Sequence, residues 1–129
     1  GGEEIDCFAA YRDYRSEETA PVILAKIPVK HAWEIFAYLP FGGWNDCPDT
    51  EELMAVTKYW EERYGARPST MSHDELEFFL PAPVPEARAA ELALEHYGFC
   101  PDVYQGGDYP LGALADSLSR SKIWYFWWD

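Results

Sequence analysis

The sequence predicts an α/β or α+β fold: a two-layer domain with one mixed β-sheet and about three helices packed on it. Two observations lead there. Apolar residues recur at spacings of three and four in three stretches, which begin near Asp49, Pro85 and Leu111. Around those stretches lie short β-branched or alternating runs, the last of them almost wholly aromatic, so the order reads β, β, helix, β, helix, helix, β.

Residues 5–14 (IDCFAAYRDY) have no decisive period and fit either a first strand or a short helix. After the polar turn SEETAP, the run VILAKIPV reads as a strand that ends, or runs along a sheet edge, at Pro28. AWEIFAYLPF follows, with Trp33, Ile35, Ala37 and Leu39 alternating against Glu34, Phe36 and Tyr38, a second strand with both faces largely covered. From Asp49 the period changes to Leu53, Val56, Trp60 and Tyr64. Asp49 can cap that helix, with Glu52 three residues on, and Gly65 can stop it. A Pro-Ser-Thr turn precedes ELEFFL, a strand with Leu76, Phe78 and Leu80 inward and a wetter face of Glu75, Glu77 and Phe79. Pro85 suits a first helical position, Ala89, Leu92, Ala93 and His96 or Tyr97 form its stripe, and Gly98 closes it. Leu111, Leu114, Ala115 and Leu118 make a third stripe, with Arg120 and Lys122 near its negative end. IWYFWWD is the final strand, apolar on both sides and therefore expected at the centre of the sheet.

With 129 residues and no linker or sharp change of composition, the chain reads as a single domain, 1–129. It lacks any run of about 18 consecutive apolar residues, and its N-terminus has no basic-then-apolar leader, so neither a spanning helix nor a retained signal peptide is expected. The start at Gly1-Gly2 without Met fits a C-terminal part of a longer protein. Ten basic against 23 acidic residues give a net charge of −13. Phosphate backbones and anionic membranes would be repelled by that charge, whereas a basic protein partner would be drawn in. Cys7, Cys47 and Cys100 are odd in number and far apart, unlike a secreted disulfide framework, which points to a reducing cytoplasm.

Four phrases, LPFGGWNDCP (39–48), KYWEERYGA (58–66), FCPD-x-x-QG (99–106) and WYFWWD (124–129), together resemble the bacterial family catalogued as domain of unknown function 4253. The resemblance spans roughly residues 22–129. It implies a bacterial protein with a C-terminal domain ending in the aromatic strand, and it implies no activity, cofactor or functional residue.

The residues themselves offer two candidate loops. Pro40 to Pro48 joins a strand to a helix N-terminus: Gly42 and Gly43 would let a ligand approach the backbone, Trp44 would be a flat wall, and Asn45 and Asp46 would be polar contacts. The same residues also suit a tight turn with a buried Trp. The loop lacks the lysine of a phosphate-binding loop, and Asp46 and Asp49 oppose an anion. Cys47, just before the helix, is a candidate nucleophile with His73 or His96 as base, although a buried structural thiol explains it too. Cys100, Asp102, Gln105, Gly106 and Gly107 form a second loop that could face the first across a cleft. No local spacing among His31, His73, His96, the cysteines and the carboxylates supplies two metal ligands, so no metal and no cofactor is expected. Glu75 and Glu77 share a strand face, either as paired carboxylates or as a solvated edge.

Two functions of different class follow. The first is a noncatalytic binding or interaction module with a basic protein partner, one version being an immunity-type protein that caps a basic toxin. The alternative is a small enzyme or ligand-binding domain, its cleft lying between the Gly42-Gly43-Trp44 loop and the Cys100-to-Gly107 loop, with Cys47, Asp46 and Asp102 as catalytic candidates.

Overall fold

The computed structural model describes residues 1–10, 18–19, 21–104 and 110–129. Gln105, Gly106 and Gly107 of the second candidate loop, and residues 11–14 of the undecided 5–14 segment, lie outside the described residues. Three helices, α1 (Thr50–Tyr64), α2 (Glu86–Phe99) and α3 (Leu111–Leu118), accompany one sheet of β1 (Arg67–Met71), β2 (Glu75–Phe79) and β3 (Ile123–Trp127). This is the α+β form of the expected class.

Asp49 Oδ1 accepts from the Glu52 amide at 2.9 Å and Gly65 ends α1 at φ +70°, so the predicted cap and stop both form. Pro85 caps α2 from just outside it, and the helix runs through Gly98 to Phe99 before Cys100 ends it. Alternation in β2 sends Leu76 and Phe78 into the core, where β3 adds Trp124 and Phe126, and all four are buried. Trp60 of α1 and Phe99 of α2 close over them, with Trp60 stacked on Phe126 at 5.7 Å and edge-on to Phe99 at 5.0 Å.

Several expectations are corrected. The sheet is antiparallel at both pairings rather than mixed, since β1 and β2 form a hairpin and the long connection through α2 and α3 also returns β3 antiparallel to β2. β2 is the central strand and β3 lies at the edge. Its second face needs no full cover because the aromatic rings there carry polar tips: Tyr125 Oη donates to Glu75 at 2.6 Å and Trp127 Nε1 to Asp74 at 2.9 Å. VILAKIPV has strand propensity but pairs in no sheet, leaving Val22, Ile23 and Leu24 70–100% exposed. AWEIFAYLPF contains a 3-10 helix, Ala32–Ala37, which buries Phe36. Its alternation also satisfies spacings of three and four, and the Ile35 carbonyl accepts from both Tyr38 and Leu39 at 2.9 Å. The expected Pro-Ser-Thr turn is strand β1, where Pro68 is tolerated at a sheet edge beside a bulge.

Nor is the acidic face of β2 wet. Glu77 is fully buried, its carboxylate accepting from the amides of Ala9 (2.9 and 3.0 Å) and Ala10 (2.8 Å) and from Thr70 Oγ1 (2.8 Å). These bonds anchor one end of an N-terminal strap. Gly2 N donates to Asp116 at 2.7 Å, Ser117 Oγ donates to the Glu3 carbonyl, and Ile5 N donates to Ser121 Oγ at 2.9 Å, fixing the other end to α3 and the turn after it. Among the described residues no helix is long and apolar enough to cross a membrane.

Candidate functional site

The Gly42-to-Pro48 loop is a tight turn. Gly42 and Gly43 take φ +86° and +79°, Asn45 takes +46°, and Gly43 N donates to the Pro48 carbonyl at 2.9 Å. A Cβ on Gly42 would lie 2.2 Å from that carbonyl and 2.7 Å from Leu53 Cδ1, so the first glycine serves packing of the loop on α1. Trp44 is half-buried and meets Phe41 edge-on at 5.0 Å, and Phe41 in turn meets Trp128 at 5.9 Å. Asp46 is exposed.

The two candidate loops both reach the end of the chain. Asn45 Nδ2 donates to the Asp129 carbonyl at 2.5 Å, and the Asp129 amide donates to Asp102 Oδ2 at 3.4 Å. Trp128, buried against Phe41 and Phe99, occupies the space between them. Asn45 and Asp102 are thus linked through Asp129 itself.

Both nearby thiols are buried. Cys47 is 5% exposed, and burial pushes its thiol up to about 12, with Cys100 adding to the rise and a Gly43 backbone hydrogen bond opposing it. Cys100, fully buried, is pushed up to about 11 by burial, although its Sγ donates to the Trp127 carbonyl at 3.1 Å. A thiolate is the reactive form, so both are poor nucleophiles at neutral pH. Iodoacetamide should label exposed Cys7 first, and Cys47 and Cys100 should react only once urea unfolds the chain. Labelling of Cys47 at the rate of Cys7 in the folded protein would contradict this. Neither proposed base assists: His73 is exposed beside Asp74 at 3.4 Å, and His96 is buried among Trp60, Trp124 and Phe126, where loss of solvent lowers it to about 3. His31 stacks on Trp33. Among the described residues no group of three or more His, Cys, Asp or Glu could hold a metal ion.

A surface feature lies between the two long helices. Val56 and Trp60 of α1 and Phe99 of α2 line a groove of about 340 Å³ together with Pro48, Glu52, Tyr59, Glu95 and Gly98. Glu95 is fixed there because Oε1 accepts from Trp60 Nε1 at 3.0 Å and Oε2 from Tyr59 Oη at 3.2 Å. Arg63 extends over the Tyr59 ring at 5.1 Å and donates to its hydroxyl at 2.8 Å. Sequence reasoning missed this groove. Its one local signal is Glu52, Val56 and Tyr59 at spacings of four and three along α1.

Fold and site together define a small α+β domain with an acid-rimmed apolar groove between its helices. The chain belongs to the family described as Domain of unknown function (DUF4253), whose model matches residues 23–129. No curated protein and no solved structure matches it.

Proposed function

We propose that the domain is a noncatalytic binding module for a basic protein, and that the groove between α1 and α2 receives an arginine or lysine side chain of that partner. The observation that carries this reading is a single groove lined both by apolar Val56, Trp60 and Phe99 and by the carboxylates of Glu52 and Glu95. A long basic side chain lays its methylene stem on such a floor and presents its cation to the carboxylates. Arg63 on Tyr59 is an example of a guanidinium held at this same rim by an aromatic face and a hydroxyl. The net charge of −13 would speed encounter with a basic partner and oppose nucleic acid and anionic membrane. An immunity-type role in a bacterial cytoplasm is one form this function takes. Burial of Cys47 and Cys100 weighs against the catalytic alternative.

The test is an NMR titration of the chain with a synthetic peptide of alternating arginine and leucine, at about 20 mM and about 500 mM salt. Shifts confined to Val56, Tyr59, Glu95 and Gly98 at low salt, lost at high salt, are expected. The Glu52→Gln/Glu95→Gln variant, which keeps an acceptor for Trp60, should bind about tenfold more weakly. Salt-insensitive binding, shifts centred elsewhere, or no binding would overturn the assignment.

A further inference from the structure

The strap of residues 1–10 joins no helix and no sheet, and it is held through its main chain. The groups that hold it are side chains of the rest of the fold. Asp116 Oδ2 accepts from the Gly2 amide at 2.7 Å, Ser117 Oγ donates to the Glu3 carbonyl, Ser121 Oγ accepts from the Ile5 amide at 2.9 Å, and the Glu77 carboxylate accepts from the amides of Ala9 and Ala10. The receiving hydroxyls are set by the fold itself: Ser121 Oγ donates to the Ser117 carbonyl at 2.7 Å, which leaves its lone pairs for an incoming amide. Of the partners of buried Glu77, Thr70 Oγ1 belongs to the sheet and the two amides belong to the strap. Side chains that bind main-chain groups hold an extended peptide largely without reading its sequence.

Three observations mark the strap as a replaceable occupant. Asp116, Ser117, Ser121, Thr70 and Glu77 all lie within the stretch that matches the family model, residues 23–129, whereas the strap lies outside it. Residues 21–26, which connect to η1 (Ala32–Ala37), are exposed and make no hydrogen bond with the described residues, so release of the strap breaks none there. Glu3, Glu4 and Asp6 are exposed, take part in no ion pair among the described residues, and add negative charge to a chain that already carries −13. Sequence is read at one point only. Gly2 is buried, and a Cβ there would lie 2.0 Å from the Ala113 carbonyl and 2.8 Å from the Ser117 amide nitrogen.

We infer that Asp116, Ser117, Ser121 and Glu77 form a binding track for an extended peptide, which the strap fills in the free protein and which a basic segment of another polypeptide takes by displacing it. The incoming segment needs glycine at the Asp116 end, because any Cβ meets the Ala113 carbonyl. It needs an apolar residue three positions on, where Ile5 lines a cavity of about 760 Å³ with Leu114, Leu118 and Ile123. Lysine or arginine at the three positions held by Glu3, Glu4 and Asp6 gains from the field that repels the strap's own acids. This track is distinct from the α1–α2 groove, and its occupancy is read at other residues.

The probe is a synthetic peptide of residues 1–10, titrated under reducing conditions into full-length Gly2→Ala and followed by NMR. That substitution unseats the chain's own strap and leaves the track intact, so saturable shifts at Thr70, Ser117 and Ser121 are expected. The unmodified chain, whose tethered strap competes at an effective concentration of about 1 mM, should bind the peptide at least about tenfold more weakly. A peptide carrying Gly2→Ala should also bind at least about tenfold more weakly, and one carrying Glu3→Lys, Glu4→Lys and Asp6→Lys should bind more tightly at about 20 mM salt, with the advantage falling at about 500 mM. Full-length Ala10→Pro, which removes an amide from the strap and nothing from the track, is the second variant and should give the same order of affinities. Absence of saturable binding to both variants, equal affinity for the Gly2→Ala peptide, or shifts centred on Val56 and Tyr59 would overturn the track, and a lysine peptide no tighter than the acidic one would overturn the basic partner.

Discussion

Trp60→Ala should lower the free energy of unfolding by about 3–5 kcal/mol, the range for truncating a buried large aromatic. The indole is 1% exposed and lies at the meeting point of both layers. It contacts Phe78 and Trp124 from the sheet at 5.7 and 5.3 Å, His96 and Phe99 from α2 at 5.1 and 5.0 Å, and stacks on Phe126 at 5.7 Å. No neighbour can collapse into the void without losing its own ring contacts, because interiors are packed like crystals. Truncation also takes the Nε1 donor at 3.0 Å from Glu95, which is left with Tyr59. Domains of this size are stable by only about 5–15 kcal/mol, so the variant should sit near its unfolding transition at 37 °C. Urea denaturation followed by circular dichroism is the measurement: the midpoint should fall with little change in slope. Trp60→Phe, which retains a ring, should lose clearly less, and equal losses for the two variants would contradict the account of ring packing.

The same cluster shows what was legible in the sequence. Helix α1 could be read because Asp49, Leu53, Trp60 and Gly65 each act within a few residues of one another, through a cap, a stripe and a left-handed stop. β2 and β3 could be read because period-two alternation survives in Leu76, Phe78, Trp124 and Phe126. β1 was not legible, since Arg67, Pro68, Ser69 and Thr70 have no apolar alternation and owe their strand to the partner beside them. The opposite error arises at Val22 to Val29, where propensity is high and no partner strand is present among the described residues. Strand formation depends on distant pairing, which propensity does not encode. At the sites the same limit holds. The Gly42 turn and the Asp49 cap are local and could be anticipated, whereas Glu52 and Glu95 come to line one groove, and His96 meets Trp124, only after helices and sheet have packed. Glu77 appeared to be a surface acid for the same reason: the amides that satisfy it come from the other end of the chain.

That carboxylate gives the second large effect. Glu77→Ala should destabilise the domain by about 2–4 kcal/mol, because hydrogen bonds to a charged group are each worth about 1.5–3 kcal/mol and several are removed together, with imperfect additivity. Thr70 Oγ1 and the amides of Ala9 and Ala10 all lose their acceptor. Local release of the strap should exceed the global loss. Its ties of Gly2 to Asp116, Glu3 to Ser117 and Ile5 to Ser121 lie at the α3 end, so the segment at Ala9 and Ala10 loses these bonds to the sheet. Hydrogen exchange should therefore quicken at Ala9 and Ala10 more than across α1 or α2. Glu77→Gln, which keeps an acceptor oxygen at the same reach, should restore part of the protection and place the variant between wild type and Ala. Faster exchange spread evenly over the whole chain would show instead that Glu77 supports the sheet alone.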